Sequence, residues 1–535
     1  MEDLKTRLLA SPTAAQWQKI GIGQHHGVNL PLSALHSRRS CGIGEFFDLI
    51  PIIDWCQKLK LDVIQLLPLN NSEHDPSPYN AISSCALNFV NLSLYNLPFL
   101  EKRSSLRKAF ASMRKMCKSQ RIAFTEVQTH KLNWLHAYYD EYKEKILTSA
   151  PFQEFVAKNP WVEPYAIFRM LKHQFGHTSW TTWPEELKHP SKKEYDQLFE
   201  RYFHEISFFI TLQYLCYEQL KALKEYANAR GIFLMGDMPI LVSPESADVW
   251  FHPEYFDLTL SAGAPPDVYN KQGQYWGFPI FHWEVLKKNH QQWWKNRLSY
   301  ASNFFDIYRL DHVIGFFRIW AIPRNHSAVD GKFIPEEMSL WEPQGREILE
   351  MLISSSPMLP IGEDLGTVPP MVRPCLLELG IPGTKVMRWE RMWEKDKRFI
   401  PLEYYPQVSL TTVSTHDSET LTLWWQDCKA EAKAFATYKQ WTYSPHLTLS
   451  QRKEILWESH HTPSLFHINL LQEYLAIIPE MVWPNPEDER INIPGTILLT
   501  NWTYRFRLPV EKIVKHVELQ AAMEKILFAT DPLSL

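Results

Sequence analysis

Residues 304–320 read FFDIYRLDHVIGFFRIW. The opening FFDIYRLD (304–311) is dominated by aromatic and aliphatic residues and predicts a strand that ends on Asp311. Arg309 stands two positions earlier, and residues two apart on a strand share a face. A guanidinium and a carboxylate therefore lie side by side at the strand's C-terminal end. Such a cation favours the anionic form that a carboxylate nucleophile requires. A purely structural Arg–Asp pair would read the same from this segment alone.

Two more segments repeat the pattern. PMLPIGEDLG (357–366) is a short apolar strand followed by Glu363 and Asp364, and VSLTTVSTHD (408–417) is a β-branched strand ending in His416 and Asp417. DVIQLLPL (62–69) and GIFLMGDMPI (231–240), the latter carrying Asp237, read as further strands. Surface acids have no reason to recur at strand ends. A parallel barrel gives one, because its catalytic residues come from the C-terminal ends of several strands. The predicted fold is an α/β (β/α)8 barrel.

Ten blocks carry a resemblance over residues 27–507. They are GIGEF (42–46), DVIQLLPL followed by SPYN (77–80), GDMPI (236–240), SADVWFHPE (246–254) and GAPPDVYNKQGQYWGFPIFHW (263–283); then RLDH (309–312), GEDLG (362–366), THD (415–417), RINIPGT (490–496) and NWTYR (501–505). In this order they resemble the amylomaltases, or 4-α-glucanotransferases, of glycoside hydrolase family 77. The resemblance implies a retaining transfer of 1,4-α-glucan segments between maltooligosaccharides, without metal or organic cofactor.

Composition sets the bounds. A chain of 535 residues exceeds the roughly 250 of a barrel core, leaving as much again for insertions. Formal net charge is −4, which gives no basic footprint for nucleic acid. No apolar run approaches the ~18 residues of a membrane span, and the Met-Glu-Asp start has no signal-peptide pattern. Seven scattered cysteines without a CxxC motif fit a reducing cytoplasm and support neither a zinc site nor a disulfide framework. With 21 Trp and 22 Tyr, aromatic rings are available to pair with the apolar C–H faces of sugars.

The Lys-, Glu- and Leu-rich stretch 96–230 is too long for an ordinary connection and predicts a helical insertion subdomain. Residues 424–488 predict a second, mainly helical insertion. The whole chain, 1–535, then forms one interrupted barrel without the C-terminal β-sandwich common in the related α-amylases.

Read from the residues, Asp311 beside Arg309 suits the nucleophile. Glu363, after an apolar strand and among acids, suits a general acid, because burial and like charge raise its pKa. By resemblance, Asp311 is the nucleophile, Glu363 the acid/base and Asp417 the transition-state stabiliser, with Arg309 orienting Asp311. A retaining pair has carboxyls about 5–5.5 Å apart. His416 is expected to bind sugar hydroxyls and Tyr79 to stack under the sugar at the cleavage point. The resemblance also implies that the block holding Asp267 and Trp276 forms a loop over the acceptor side of the groove. His312 and Asp237 are candidate substrate contacts at positions that structural residues also occupy, and Asp364 is expected to be structural. Departures from the family pattern are Phe278 in place of an amide, SPYN for SPYQ, and Ser418 and Glu419 after the third acid. They bear on chain-length preference, not on reaction class. The alternatives are an α-amylase-type hydrolase using the same acids, an inactive glucan-binding protein, and a phosphate-handling barrel. The PPD…GQ.WG and C-terminal blocks argue against the first, the intact acids against the second, and the lack of a glycine-rich phosphate loop against the third.

Overall fold

The computed structural model describes residues 2–101, 104–266, 271–393 and 395–532. Eight parallel strands close into a barrel: β1 (His25–Leu30), β2 (Val63–Leu66), β3 (Phe233–Met238), β4 (Ile307–Leu310), β5 (Leu359–Gly362), β6 (Gly383–Val386), β7 (Ser409–Thr412) and β8 (Phe466–Leu470). Each pairs with its sequence neighbour and β8 closes on β1, as a (β/α)8 barrel requires. The barrel interior is layered. Val63, Met235, Ile307, Leu359, Leu410 and Phe466 form an apolar cluster, packed against Leu4, Leu8, Trp17 and Ile20 of the N-terminal helices Glu2–Leu9 and Ala14–Ile20. Those helices cover the end away from the acids.

Between β2 and β3 the chain is mainly helical, with Phe124–Leu147, Val162–Gln174 and Phe203–Asn228 as its longest elements. Lys192–Arg201 begins on a capping box in which Ser191 and Glu194 satisfy each other's backbone N–H groups. This region is tied to the barrel by polar contacts as well as apolar packing. Gln213 bonds both backbone groups of Leu87, and Gln219 those of Ser93, satisfying backbone groups outside the regular strands. Lys131, fully buried, reaches Glu45 at 2.7 Å and the carbonyls of Val90 and Leu92.

Residues 424–488 contain helices, but they also hold β8. FHINL is five residues long and carries two polar side chains, so its strand character comes from closing the barrel. A small antiparallel sheet built on Leu260–Ala264 and Ile319–Pro323 stands over the β3–β4 and β4–β5 connections. Among the described residues no strand follows Leu470.

Candidate active site

Strand register builds the centre. Asp237 on β3 and Arg309 on β4 are register partners, and Asp311 and Glu363 are the first residues beyond β4 and β5. Arg309 Nη1 donates to both oxygens of Asp237 at 2.9 and 2.8 Å and to Asp311 Oδ1 at 3.0 Å. Its Nη2 lies 2.9 Å from Glu363 Oε2. One guanidinium therefore holds three carboxylates, which the planar fork of arginine allows and the point charge of lysine does not. The Asp311 side chain keeps 22% of its surface exposed.

Glu363 Oε2 also accepts the backbone N–H of His312 at 2.8 Å. His312 adopts the left-handed conformation, φ 45° and ψ 53°, to aim that N–H. The conformation costs a non-glycine residue about 1–3 kcal/mol, and such strain concentrates at functional sites. Burial pushes the Glu363 carboxyl up to about 7; Asp311 and Asp417 add to the rise, while Arg309 and the His312 N–H oppose it. Burial likewise raises Asp237 against the pull of Arg309, and burial lowers His312.

The third acid has the opposite environment. Burial would raise the Asp417 carboxyl, but His416, with Nε2 at 3.4 Å, and Asn492 Nδ2, donating at 2.7 Å, pull it down to about 2. His416 is raised in turn: burial opposes its charge, and Asp417 overcomes it. Tyr79 donates its O–H to Asp237 Oδ2 at 2.8 Å and lies 3.0 Å from His416 Nε2, with its ring stacked on the imidazole. Burial and Asp237 push that phenol well above its usual range, so it stays a neutral donor. Trp502 packs against both Tyr79 and His416.

A cavity of about 310 Å³ opens here. Met235, Ile361, Leu410 and Ile468 line its depth; Arg309, Glu363, His416 and Asp417 line its wall, with Trp276, Trp320 and Trp389. Trp276 meets His312 edge-on at 5.0 Å and donates its indole N–H to Gln274. Of the residues singled out from the sequence, Arg309, His312, Glu363, His416, Asp417 and Trp276 line the cavity. Asp311 and Asp237 join it through Arg309, and Tyr79 joins through Asp237 and His416. Asp267 lies outside the described residues. Asp364 takes no part: it is 1% exposed and accepts from the Thr384 backbone and from Arg373. The close approach needs Gly383, where a Cβ would stand 2.8 Å from that carboxylate.

Sequence reading did not single out Asn492 and Trp502, although both lie in the RINIPGT and NWTYR blocks. It also paired Arg309 with Asp311 alone. One group among the described residues has cation-ligand geometry, Glu73, His74 and His177, with ligand atoms within 4.8 Å of one another. Arg169 already pairs with the Glu73 carboxylate and supplies the charge that a cation would, and His177 Nδ1 lies 2.8 Å from the same oxygen.

Carboxyls of opposed environment, gathered beyond the strands of a parallel barrel under an aromatic-rimmed cavity, define a site for nucleophilic and acid–base chemistry at a glycosidic bond. The comparisons agree. The 4-alpha-glucanotransferase family model, Glyco_hydro_77, matches residues 30–510. The chain is 44% identical over 519 residues to a 4-alpha-glucanotransferase of Chlamydia pneumoniae, covering 97% of this chain and 98% of that one. It is 30% identical over 469 residues to a 4-alpha-glucanotransferase of Thermus thermophilus, covering 84% and 88%. Among solved structures, the amylomaltase of Streptococcus agalactiae in complex with acarbose shares the fold, with a TM-score of 0.80 at 24% identity over 94% of this chain and 98% of that one. The chain belongs to the 4-alpha-glucanotransferase family.

Proposed function

We propose that the protein transfers segments of 1,4-α-glucans to the 4-hydroxyl of an acceptor glucose or glucan by double displacement. Asp311 attacks the anomeric carbon while Glu363 protonates the departing glycosidic oxygen. A glycosyl ester forms on Asp311 and the reducing-end fragment leaves. In the second half Glu363, now a carboxylate, takes the proton of the acceptor hydroxyl, and that oxygen displaces Asp311 with net retention. Asp417, held anionic by His416 and Asn492, grips the hydroxyls of the transferred sugar and favours its oxocarbenium-like form. Tyr79 and His416 complete that subsite, with Asp237 and His312 as its supports. Trp276, with Asp267 on the same loop, forms the acceptor platform.

The observation that carries this reading is the shared guanidinium. Arg309 contacts Asp311 at 3.0 Å and Glu363 at 2.9 Å, while the Glu363 carboxyl is pushed up to about 7. A group with that pKa can give a proton and take one back at the same pH. The helical stretch 96–230 is read as an insertion in this one catalytic barrel. The seven unpaired thiols support a reducing, cytoplasmic location. No helix among the described residues is long and apolar enough to cross a membrane.

The test is a product ladder. Maltotriose alone should yield glucose plus longer maltooligosaccharides with almost no gain in reducing ends, and Trp276→Ala should lower transfer more than hydrolysis. A steady rise in reducing ends with no product longer than maltotriose would favour the hydrolase.

A further inference from the structure

A second cavity, of about 400 Å³, shares no residue with the first. It opens between the segment after β1 and residues 505–509, and its lining includes Arg38, Lys118, Arg505, Arg507 and Trp483. No aspartate or glutamate is among its lining residues. Among the described residues none of its four cations forms an ion pair with a carboxylate. Elsewhere among the described residues four buried arginines are paired in that way, Arg169 with Glu73, Arg309 with three acids, Arg388 with Glu419 and Arg452 with Glu473, whereas buried Arg297, like Arg505, has no ion pair and donates to a carbonyl, that of Pro239.

Arg505 is the telling member. It is 1% exposed, and its Nη2 donates to the Gly42 carbonyl at 2.7 Å. Its Nε and Nη1 have no hydrogen-bond partner. The polar group beside it is the Cys117 thiol, which burial pushes up and so keeps neutral. His36 brings no negative charge either, since its Nε2 donates to the Phe506 carbonyl. Glu511 lies close by but outside the lining, with Oε1 taken by the Arg38 backbone N–H. A guanidinium buried without an anion is costly to fold, and an anionic ligand in this cavity would offset that cost. Arg38 and Lys118, both exposed, and Arg507 are placed to contact such a ligand directly, over the field of Arg505.

The volume sets the ligand's size. About 400 Å³ falls in the usual range for small-molecule sites and far exceeds one phosphate group. Trp483 supplies a fixed apolar wall, its indole N–H donating to the Arg505 carbonyl at 2.7 Å. A dianionic group with several acceptor oxygens matches several cations, and a flat sugar face matches an indole. We propose that this cavity is a binding site for a small phosphomonoester of the sugar-phosphate class, with the phosphate on Arg38, Lys118 and Arg507 and the carbon skeleton against Trp483.

Calorimetry on the full chain tests this, with glucose 1-phosphate and inorganic phosphate as probes at matched ionic strength. Glucose 1-phosphate should bind about tenfold or more tighter than inorganic phosphate. The Arg38→Ala/Lys118→Ala double variant should weaken it by about tenfold or more, since each lost charge-assisted contact is of that order. Both replaced side chains are exposed and lie outside the catalytic machinery, so the variant should fold and disproportionate maltotriose at the wild-type rate. Equal affinity in wild type and variant would overturn the site. Equal affinity for the two probes, or a heat signal reproduced by sodium chloride, would overturn the sugar-phosphate assignment.

Discussion

Replacing Arg309 with glutamine removes the charge and the guanidinium fork while keeping a shorter polar side chain. In the wild type that charge faces Asp237 at 2.8 Å, Glu363 at 2.9 Å and Asp311 at 3.0 Å. Each such pair is worth about 4 kcal/mol of attraction at an effective dielectric near 20, part of it spent on desolvation. Breaking a buried pair by removing one partner costs about 3–5 kcal/mol, because the remaining charge is left uncompensated. Here three carboxyls remain in one small volume. The site recovers part of the loss by taking up a proton, and any proton held on Asp311 removes the nucleophile. A loss of about 4 kcal/mol in transition-state stabilisation corresponds to about a thousandfold in kcat/KM. Arg309→Lys keeps the charge but not the fork, and should cost about ten- to a hundredfold.

The pH profile separates this effect from simple damage. Glu363 must carry its proton in the first half-reaction, so kcat/KM should fall as pH rises through about 7. Arg309 lowers the Glu363 pKa, so its removal should move that alkaline limb upward. Initial rates of maltotriose disproportionation across pH 5–9 give both readings. An Arg309→Gln enzyme within tenfold of wild type, with its alkaline limb unmoved, would refute the shared-guanidinium reasoning.

Glu363→Gln should lose several orders of magnitude on maltotriose yet still release fluoride in a burst from an α-maltosyl fluoride donor, whose leaving group needs no proton; absence of a burst in folded protein would remove Glu363 from the acid role. A second expectation concerns stability. Burial holds His26 down to about 4 and His467 to about 3, in a cluster with His460 at the N-terminal end of β1 and β8. Folded pKa values below the unfolded value mean that stability is full above pH ~6.5 and is lost as pH falls below it. At pH 5 the loss is about 2 kcal/mol for His467, and less for the partly exposed His26. Thermal scans should give a lower Tm at pH 5 than at pH 7.5, and His467→Gln should flatten that dependence; an unchanged wild-type Tm would count against it.

Five of the eight barrel strands were legible because they are apolar or β-branched runs that end on a turn or an acid. The other three, HHGVNL, GTKV and FHINL, are short and carry polar residues for tertiary reasons. Asn29 of β1 lines the cavity, Lys385 of β6 reaches Asp364 at 3.2 Å, and Asn469 of β8 bonds Val413 and Tyr474. Local patterning does not reveal a strand whose polar side chains are satisfied only by its neighbours in a closed barrel. The three acids could be read because strand ends mark them. The Asn492 contact to Asp417 could not, since it joins residues 75 positions apart through a loop without periodicity. Arg309 was visible as the partner of Asp311 because the two are local. Its hold on Glu363 and Asp237 depends on the β3–β4–β5 register, which no single segment contains.

The transfer reading has a consequence that a hydrolytic one lacks. The bond broken and the bond made are of one kind, so the two half-reactions are mirror images about the glycosyl ester on Asp311. The chain that leaves and the chain that attacks must then occupy the same side of the site, and the group that protonates one must deprotonate the other. Glu363, near 7, meets the second condition through an environment set by burial and Asp311 on one side and by Arg309 and the His312 N–H on the other. The first condition falls on the rim at Trp276, which meets His312 edge-on, and His312 in turn donates its N–H to Glu363. On the proposed mechanism, an acceptor sugar on that indole would lie beside Glu363, and its bulk would occupy the position from which water would otherwise attack. The proposed mechanism therefore assigns specificity for transfer to the rim, and to the three acids only the chemistry that transfer shares with hydrolysis.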